Sequence, residues 1–233
     1  MNPLIQITRS GTIFSGHEEN LKQMSLEFNK NHYIKLPKLI ETKLLSYIEP
    51  YIEKGEFIDT INKNGIGLES WIKENPASHL LHFLANDQKL YKLIEEITGC
   101  RKIGCFDGRI YHVVSSRKDF DKWHDDNGKT RMITMSINLS KSVYNGGVLL
   151  IRDADTLEIL HEIKNTGYVD AIIFQISPHL EHMVTDVDGE ISKVAFAGWF
   201  QETPDYNLLI KKKSLEFTNR ISKAELSTGQ PIK

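Results

Sequence analysis

From Lys102 to Phe200 the chain is written in short β-rich runs, KIGCFDGRIYHVV, RMITMSINLS, GGVLLIRD, LEILHEI, YVDAIIFQI and SKVAFAGWF, with Gly, Asn and Asp between them. No helix-length pattern separates one run from the next. A parallel strand pair needs a crossover of a dozen or more residues, usually a helix, so this succession excludes βαβ units. The runs are expected to pair antiparallel, as a sandwich or a barrel.

The first hundred residues have another texture. Leu21, Met24, Leu26 and Phe28 are loosely spaced in one segment, and Leu39, Leu44, Leu45, Ile48 and Ile52 in a second. HLLHFLANDQKLYKLIEEI, from His79 to Ile97, carries apolar residues at steps of three and four and stops at Thr98-Gly99, a helix-end signal. These segments are expected to be packing helices that brace a sheet. The expected division is residues 1–100 as helical support, 101–202 as the β core and 203–233 as a C-terminal extension closed by a short helix. All belong to one structural unit, since 233 residues suit one domain with a real interior. The fold class is α+β, mainly β.

Composition narrows the partners. Apolar residues make up 40% and charged residues 26%, and no stretch approaches the roughly eighteen uninterrupted apolar residues of a membrane span. The N-terminus, MNPLIQITRSGTIFSGHEEN, has no basic region followed by an apolar run, so cytoplasm is the expected compartment. A net charge of -2 with interspersed signs gives no general field for nucleic acid or anionic membrane. Lys211-Lys212-Lys213 read as a solvated face before a polar tail. Cys100 and Cys105 are too few for a disulfide framework and are expected to be reduced thiols. The partner is expected to be small or local; nothing sets the oligomeric state.

The chemistry gathers at His124-Asp125-Asp126, at the end of KDFDKWHDD. In extended backbone, residues two apart point to the same side, so His124 and Asp126 are expected to converge on one ion. Two histidines and one carboxylate on a face favour non-heme Fe(II) with open positions. His161, His179 and His182 are the candidates for the third ligand. Only His182 is followed by His-x-Val, a turn, and a basic residue in a β-run ending Gly-Trp-Phe, which selects it. His79, His82 and His179 read as surface or capping histidines.

In SKVAFAGWF, alternation sets Lys193, Ala195, Ala197 and Trp199 on one face against Val194, Phe196, Gly198 and Phe200. A lysine above two alanines suggests a roomy interior, and a buried ammonium needs an anionic partner such as a dicarboxylate. The same parity in RMITMSINL sends Met132, Thr134, Ser136 and Asn138 toward the pocket and Arg131, Ile133, Met135, Ile137 and Leu139 away from it. Arg131 and Arg152 read either as substrate contacts or as rim ion pairs, and Trp123 as site wall or core.

WHDD, SINLS followed by YNGGVLLIRD, and HMV through KVAFAGWF, in that order and spacing, resemble the Fe(II)/2-oxoglutarate-dependent dioxygenase superfamily. The likeness is to its prolyl-hydroxylase-like branch, over roughly residues 100 to 202. It implies a double-stranded β-helix (jelly-roll) core in which His124, Asp126 and His182 bind Fe(II). It also implies that Lys193, where many members have arginine, pairs with the distal carboxylate of the cosubstrate 2-oxoglutarate. Tyr111, in RIYHVV, resembles the tyrosine that often adds a hydrogen bond to that carboxylate, although a strand tyrosine is commonly core. The implied reaction consumes O2 and 2-oxoglutarate, releases succinate and CO2, and hydroxylates an amino acid, a peptidyl residue or a small metabolite. A carboxylate at 126, where halogenating members are expected to have a small residue, favours hydroxylation or a related oxidation.

Three rivals share features. A cupin-type enzyme usually begins its metal motif with His-x-His, against Asp126 here. The adjacent His-Asp of metal-dependent phosphohydrolases sits on helices. A non-catalytic binding or sensing module is expected to have lost a ligand or the cosubstrate base, and neither is lost here.

Overall fold

The computed structural model describes residues 3–61, 68–115, 122–164, 167–208 and 210. In chain order the elements are β1 (Ile5–Thr8), β2 (Gly11–Phe14), α1 (Glu18–Asn31), β3 (Tyr33–Leu36), α2 (Thr42–Glu53), β4 (Phe57–Ile61), β5 (Leu68–Ile72), α3 (Pro76–Ala85) and α4 (Gln88–Thr98). There follow β6 (Cys105–Val113), β7 (Arg131–Asn138), β8 (Asn145–Gly146), β9 (Leu149–Asp153), β10 (Ile159–Ile163), β11 (Ala171–Gln175), β12 (Leu180–Val184), β13 (Val187–Asp188) and β14 (Lys193–Gln201).

A large antiparallel sheet runs β3-β11-β7-β14-β6-β5-β4, and a small one runs β10-β9-β12. One face of the large sheet carries Phe106, Ile110, Met135, Ile137, Ile173, Phe196 and Phe200 into a core shared with the helices through Phe28, Ile48, Leu81, Tyr91 and Ile94. The other face meets the small sheet in a second cluster, where Ile172 and Phe174 pack with Leu149, Ile151, Ile163 and Leu180. This is the jelly-roll arrangement expected from the sequence, with helices backing the large sheet.

Phe106 leans across its strand because nothing stands at Gly108, where a Cβ would lie 2.5 Å from the Phe106 ring. That lean brings its ring to 5.5 Å from Phe196 and 4.9 Å from Phe200. Buried rings at such separations gain more than their area alone contributes.

Two expectations change in the N-terminal half. The helix expected over 79–97 is two helices, parted at Asn86 and Asp87. The Asn86 amide donates to the carbonyl oxygens of His82 and Phe106, and its own oxygen accepts the Phe106 N–H. Asp87 then caps α4 by accepting the N–H groups of Lys89 and Leu90. Tethering to β6 therefore fixes the break, while the end at Thr98 with Gly99 in the left-handed region is as expected. Nor is the region mainly helical in its role: β3, β4 and β5 supply both edges of the large sheet. Of the packing residues expected in α1, Met24 and Phe28 are buried and Leu26 is exposed.

Among the described residues, no helix is long and apolar enough to cross a membrane. Cys100 and Cys105 are free thiols. Lys211-Lys212-Lys213, and the C-terminal helix expected beyond residue 203 from position 211 onward, lie outside the described residues.

Candidate metal centre

His182 lies on β12, paired with Ile151 of β9. Across its other edge His124 makes a single antiparallel bridge to it, each donating its backbone N–H to the other's carbonyl oxygen at 3.1 and 2.8 Å. Directly opposed residues share a face. Both imidazoles therefore emerge between the sheets, with ring centroids 4.3 Å apart.

Asp126 joins them by a different route from the one the sequence suggested. Its φ is 54°, so the chain leaves extended geometry after the bridge and turns through the left-handed region. Aspartate tolerates that region better than most residues. Convergence is thus achieved by a turn and not by strand parity.

The Asp126 carboxylate stands 3.3 Å from His182 Nε2 and 3.6 Å from His124 Nε2. One donor atom from each of the three residues lies within 4.8 Å of the others. The His124 Nδ1 donates to the Lys122 carbonyl at 2.6 Å, which turns the Nε2 lone pair toward the centre. Ligands about 2.1 Å from a first-row ion and at right angles stand ~3 Å apart, so this donor set fits one divalent cation with little adjustment.

Burial would push the Asp126 carboxyl up, but His182, the Trp199 indole and His124 outweigh it and hold the group at about 2. Trp199 Nε1 donates to Oδ2 at 2.7 Å. The Phe174 and His182 rings pack edge to face with centroids 4.8 Å apart.

Arg131 contradicts the parity expected for β7. The β7–β14 ladder slips between Phe200 and Gln201, so Ile133 opposes Phe200 while Arg131 opposes Gln201. The additional residue, Met132, turns into the helix-side core beside Ile133. Arg131 is thereby carried to the site side, where its guanidinium lies 3.5 Å from the Trp199 ring centroid and 3.5 Å from Asp126 Oδ1. A bulge of this kind exchanges the faces of neighbouring residues.

Lys193, Ala195, Ala197 and Trp199 do share the inner face. Lys193 Nζ donates to the Gly147 carbonyl at 3.1 Å and stands 5.9 Å from the buried ring of Tyr144. Tyr111 opposes Ala195, which makes it a diagonal neighbour of Lys193 on that face. Its phenol is pushed up by burial and by Glu69, Asp126 and Asp107, so it stays a neutral donor. Thr134 opposes Trp199, and its buried hydroxyl has no hydrogen-bond partner among the described residues. A lysine, two hydroxyls and two alanines along one face leave room and donors for a small acidic ligand.

The other candidates fall elsewhere. His161 faces Tyr33 at 5.1 Å, separated from His182 by Ile151. His179 is exposed, with Asp155 at 3.8 Å, and His79 is exposed beside Glu74. His82 lies against Tyr206. Arg152 and Glu181 are directly opposed on the outer face of the small sheet, where Arg152 Nε and Nη2 both donate to Glu181 Oε2 at 2.7 and 2.5 Å. The Arg152 guanidinium also lies 4.2 Å from the Trp123 ring centroid, so this set braces the bridge at His124 from behind. Sequence reasoning gave no role to Trp199 or Thr134, although strand parity had placed both on the right face.

Residues 110–201 match the profile of the 2OG-Fe(II) oxygenase superfamily. No curated protein sequence matches the chain. Among solved structures, an oxidoreductase of the 2OG-Fe(II) oxygenase family from Burkholderia pseudomallei superposes with a TM-score of 0.60 at 12% identity, covering 85% of this chain and 96% of that one. A Pseudomonas putida prolyl-4-hydroxylase gives 0.57 at 14%, covering 79% and 100%. The epimerase SnoN, in complex with Fe3+, alpha ketoglutarate and nogalamycin RO, gives 0.58 at 10%, covering 79% and 84%. At these identities the structural likeness is one of fold.

Proposed function

We propose that this chain, whose residues 110–201 match the profile of the 2OG-Fe(II) oxygenase superfamily, is an Fe(II)- and 2-oxoglutarate-dependent oxygenase that hydroxylates an amino acid, a peptidyl residue or a small metabolite. The observation that carries the reading is the convergence of two imidazole nitrogens and one carboxylate, from His124, His182 and Asp126, between the two sheets.

When bound, Fe(II) with 2-oxoglutarate and O2 supplies an oxidant for C–H bonds, the keto acid being converted to succinate and CO2. His124, Asp126 and His182 hold the ion. Trp199 keeps the Asp126 carboxylate in one orientation through its indole N–H, and Phe174 fixes the plane of His182. Lys193 takes the distal carboxylate of 2-oxoglutarate, and the Tyr111 hydroxyl donates to the same group. Leu149, Ile151 and Leu180 line the small-sheet side and limit water around the centre.

Anaerobic titration with Fe(II) and 2-oxoglutarate tests this reading through the visible metal-to-ligand charge-transfer band. The band is expected in the wild type and is expected to vanish in His182→Ala. A well-folded wild type without the band overturns the assignment. Turnover under isotopically heavy O2 then separates outcomes: hydroxylation places one heavy oxygen atom in the product, whereas epimerisation places none.

A further inference from the structure

Two buried side-chain hydroxyls, those of Thr12 and Thr134, have no hydrogen-bond partner among the described residues. A hydroxyl taken out of water without a partner costs free energy, and valine, of the same shape, would avoid that cost. The two threonines differ in their surroundings. Thr12 stands in the β1–β2 hairpin, where its backbone N–H donates at 3.2 Å to Asp87, the residue that caps α4. Thr134 is 6% exposed and lies on the inner face of β7, at the metal centre.

On one flank Thr134 opposes Trp199, whose indole N–H donates to Asp126 Oδ2 at 2.7 Å. On the other it opposes Phe174, whose ring packs against His182. Directly opposed residues share a face, so Thr134 stands between the side chain that orients one metal ligand and the side chain that packs on another. The donors that serve the Asp126 carboxylate are others: Trp199 at Oδ2, and Arg131 at 3.5 Å from Oδ1. Two residues along β7, Ser136 opposes Ala197, and Ala195 follows on β14 in the direction of Lys193. A strip of small residues therefore leads along the inner face from the Thr134 hydroxyl to the Lys193 ammonium.

On the oxygenase reading above, which sets the distal carboxylate of 2-oxoglutarate on Lys193, we infer that Thr134 is a binding residue for the other end, its hydroxyl donating to the keto-acid carboxylate. The cosubstrate carries a carboxylate at each end, and Lys193 and Thr134 stand at the two ends of the small-residue strip. Hydrogen bonds to an ionised acceptor are about twice as strong as neutral ones, so the cost of the orphaned hydroxyl in the free protein is recovered when the cosubstrate binds. A structural threonine would have its partner inside the fold.

The test pairs anaerobic titration of the Fe(II)-loaded protein with 2-oxoglutarate, read by the charge-transfer band, with chemical denaturation of the metal-free protein. Thr134→Val is expected to raise the denaturation midpoint and yet to raise the 2-oxoglutarate dissociation constant by about tenfold or more. Thr134→Ser keeps the hydroxyl and is expected to bind nearly as the wild type does. Thr12→Val, the matched control, is expected to raise the midpoint and leave the dissociation constant alone. On a Lys193→Ala background the factor for Thr134→Val is expected to be unchanged, because the two donors serve opposite ends of the molecule. The inference is overturned if Thr134→Val binds 2-oxoglutarate as the wild type does, which is the result if a water pairs the hydroxyl. It is overturned equally if Thr134→Ser is as weak as Thr134→Val, if Thr134→Val lowers the midpoint, or if its factor vanishes on the Lys193→Ala background. Absence of the band in the wild type overturns the oxygenase reading instead.

Discussion

The two faces of β14 are one sequence put to opposite uses. Toward the helices, Phe196 and Phe200 are fully buried against Phe106 and Tyr91 in an apolar core without a charged group. Toward the small sheet, Lys193, Ala195, Ala197 and Trp199 line a polar space in which Lys193 donates to the Gly147 carbonyl and Trp199 to Asp126. Because alternate residues leave a strand on opposite sides, anchoring and chemistry can occupy adjacent positions without sharing atoms. Substitutions on the two faces should then be separable by measurement.

The largest effect is expected at the centre itself. Asp126→Ala should abolish turnover and the charge-transfer band in a protein that remains folded by circular dichroism; wild-type-like turnover would end the assignment of Asp126 as a ligand. On the opposite face, Phe200→Ala should lower stability by about 3–5 kcal/mol in chemical denaturation. The charge-transfer band per folded molecule should persist, and a stability loss accompanied by an equal loss of 2-oxoglutarate affinity would show that the faces are not independent. Lys193→Ala should leave denaturation nearly unchanged and raise the 2-oxoglutarate dissociation constant by roughly tenfold to over a hundredfold, the value of a charge-assisted hydrogen bond of about 1.5–3 kcal/mol. Trp199→Phe keeps the ring and removes one N–H from Asp126. It should weaken Fe(II) binding by about tenfold, the lower end of what a partner behind a metal ligand contributes. An unchanged Fe(II) affinity would reduce Trp199 to a packing residue.

Alternation made much of this legible in advance. A period of two needs no tertiary information, so the face of β14 that carries Lys193 and Trp199 could be read from nine residues. The order of His124, Asp126 and His182 was likewise visible as a pattern of residue types. What stayed hidden depends on partners distant in sequence. β3 is four residues long and exists as a strand because β11 pairs with it, and nothing local to Tyr33–Leu36 says so. The break between α3 and α4 is set by the hydrogen bonds of Asn86 to Phe106, and the left-handed turn at Asp126 follows a single bridge between strands that meet only in the fold.

The bulge opposite Gln201 sets how this protein can change. One surplus residue in β7 sends Arg131 over Trp199 and Met132 into the core. Removing the surplus residue, Met132, would leave Arg131 opposite Gln201 on the site side and cost the core one buried side chain, whereas strict pairing of all the residues present would put Met132 there and turn the guanidinium toward the buried side. A surplus residue in an inner strand can therefore feed one more side chain to the core while the residues that face the site keep their places.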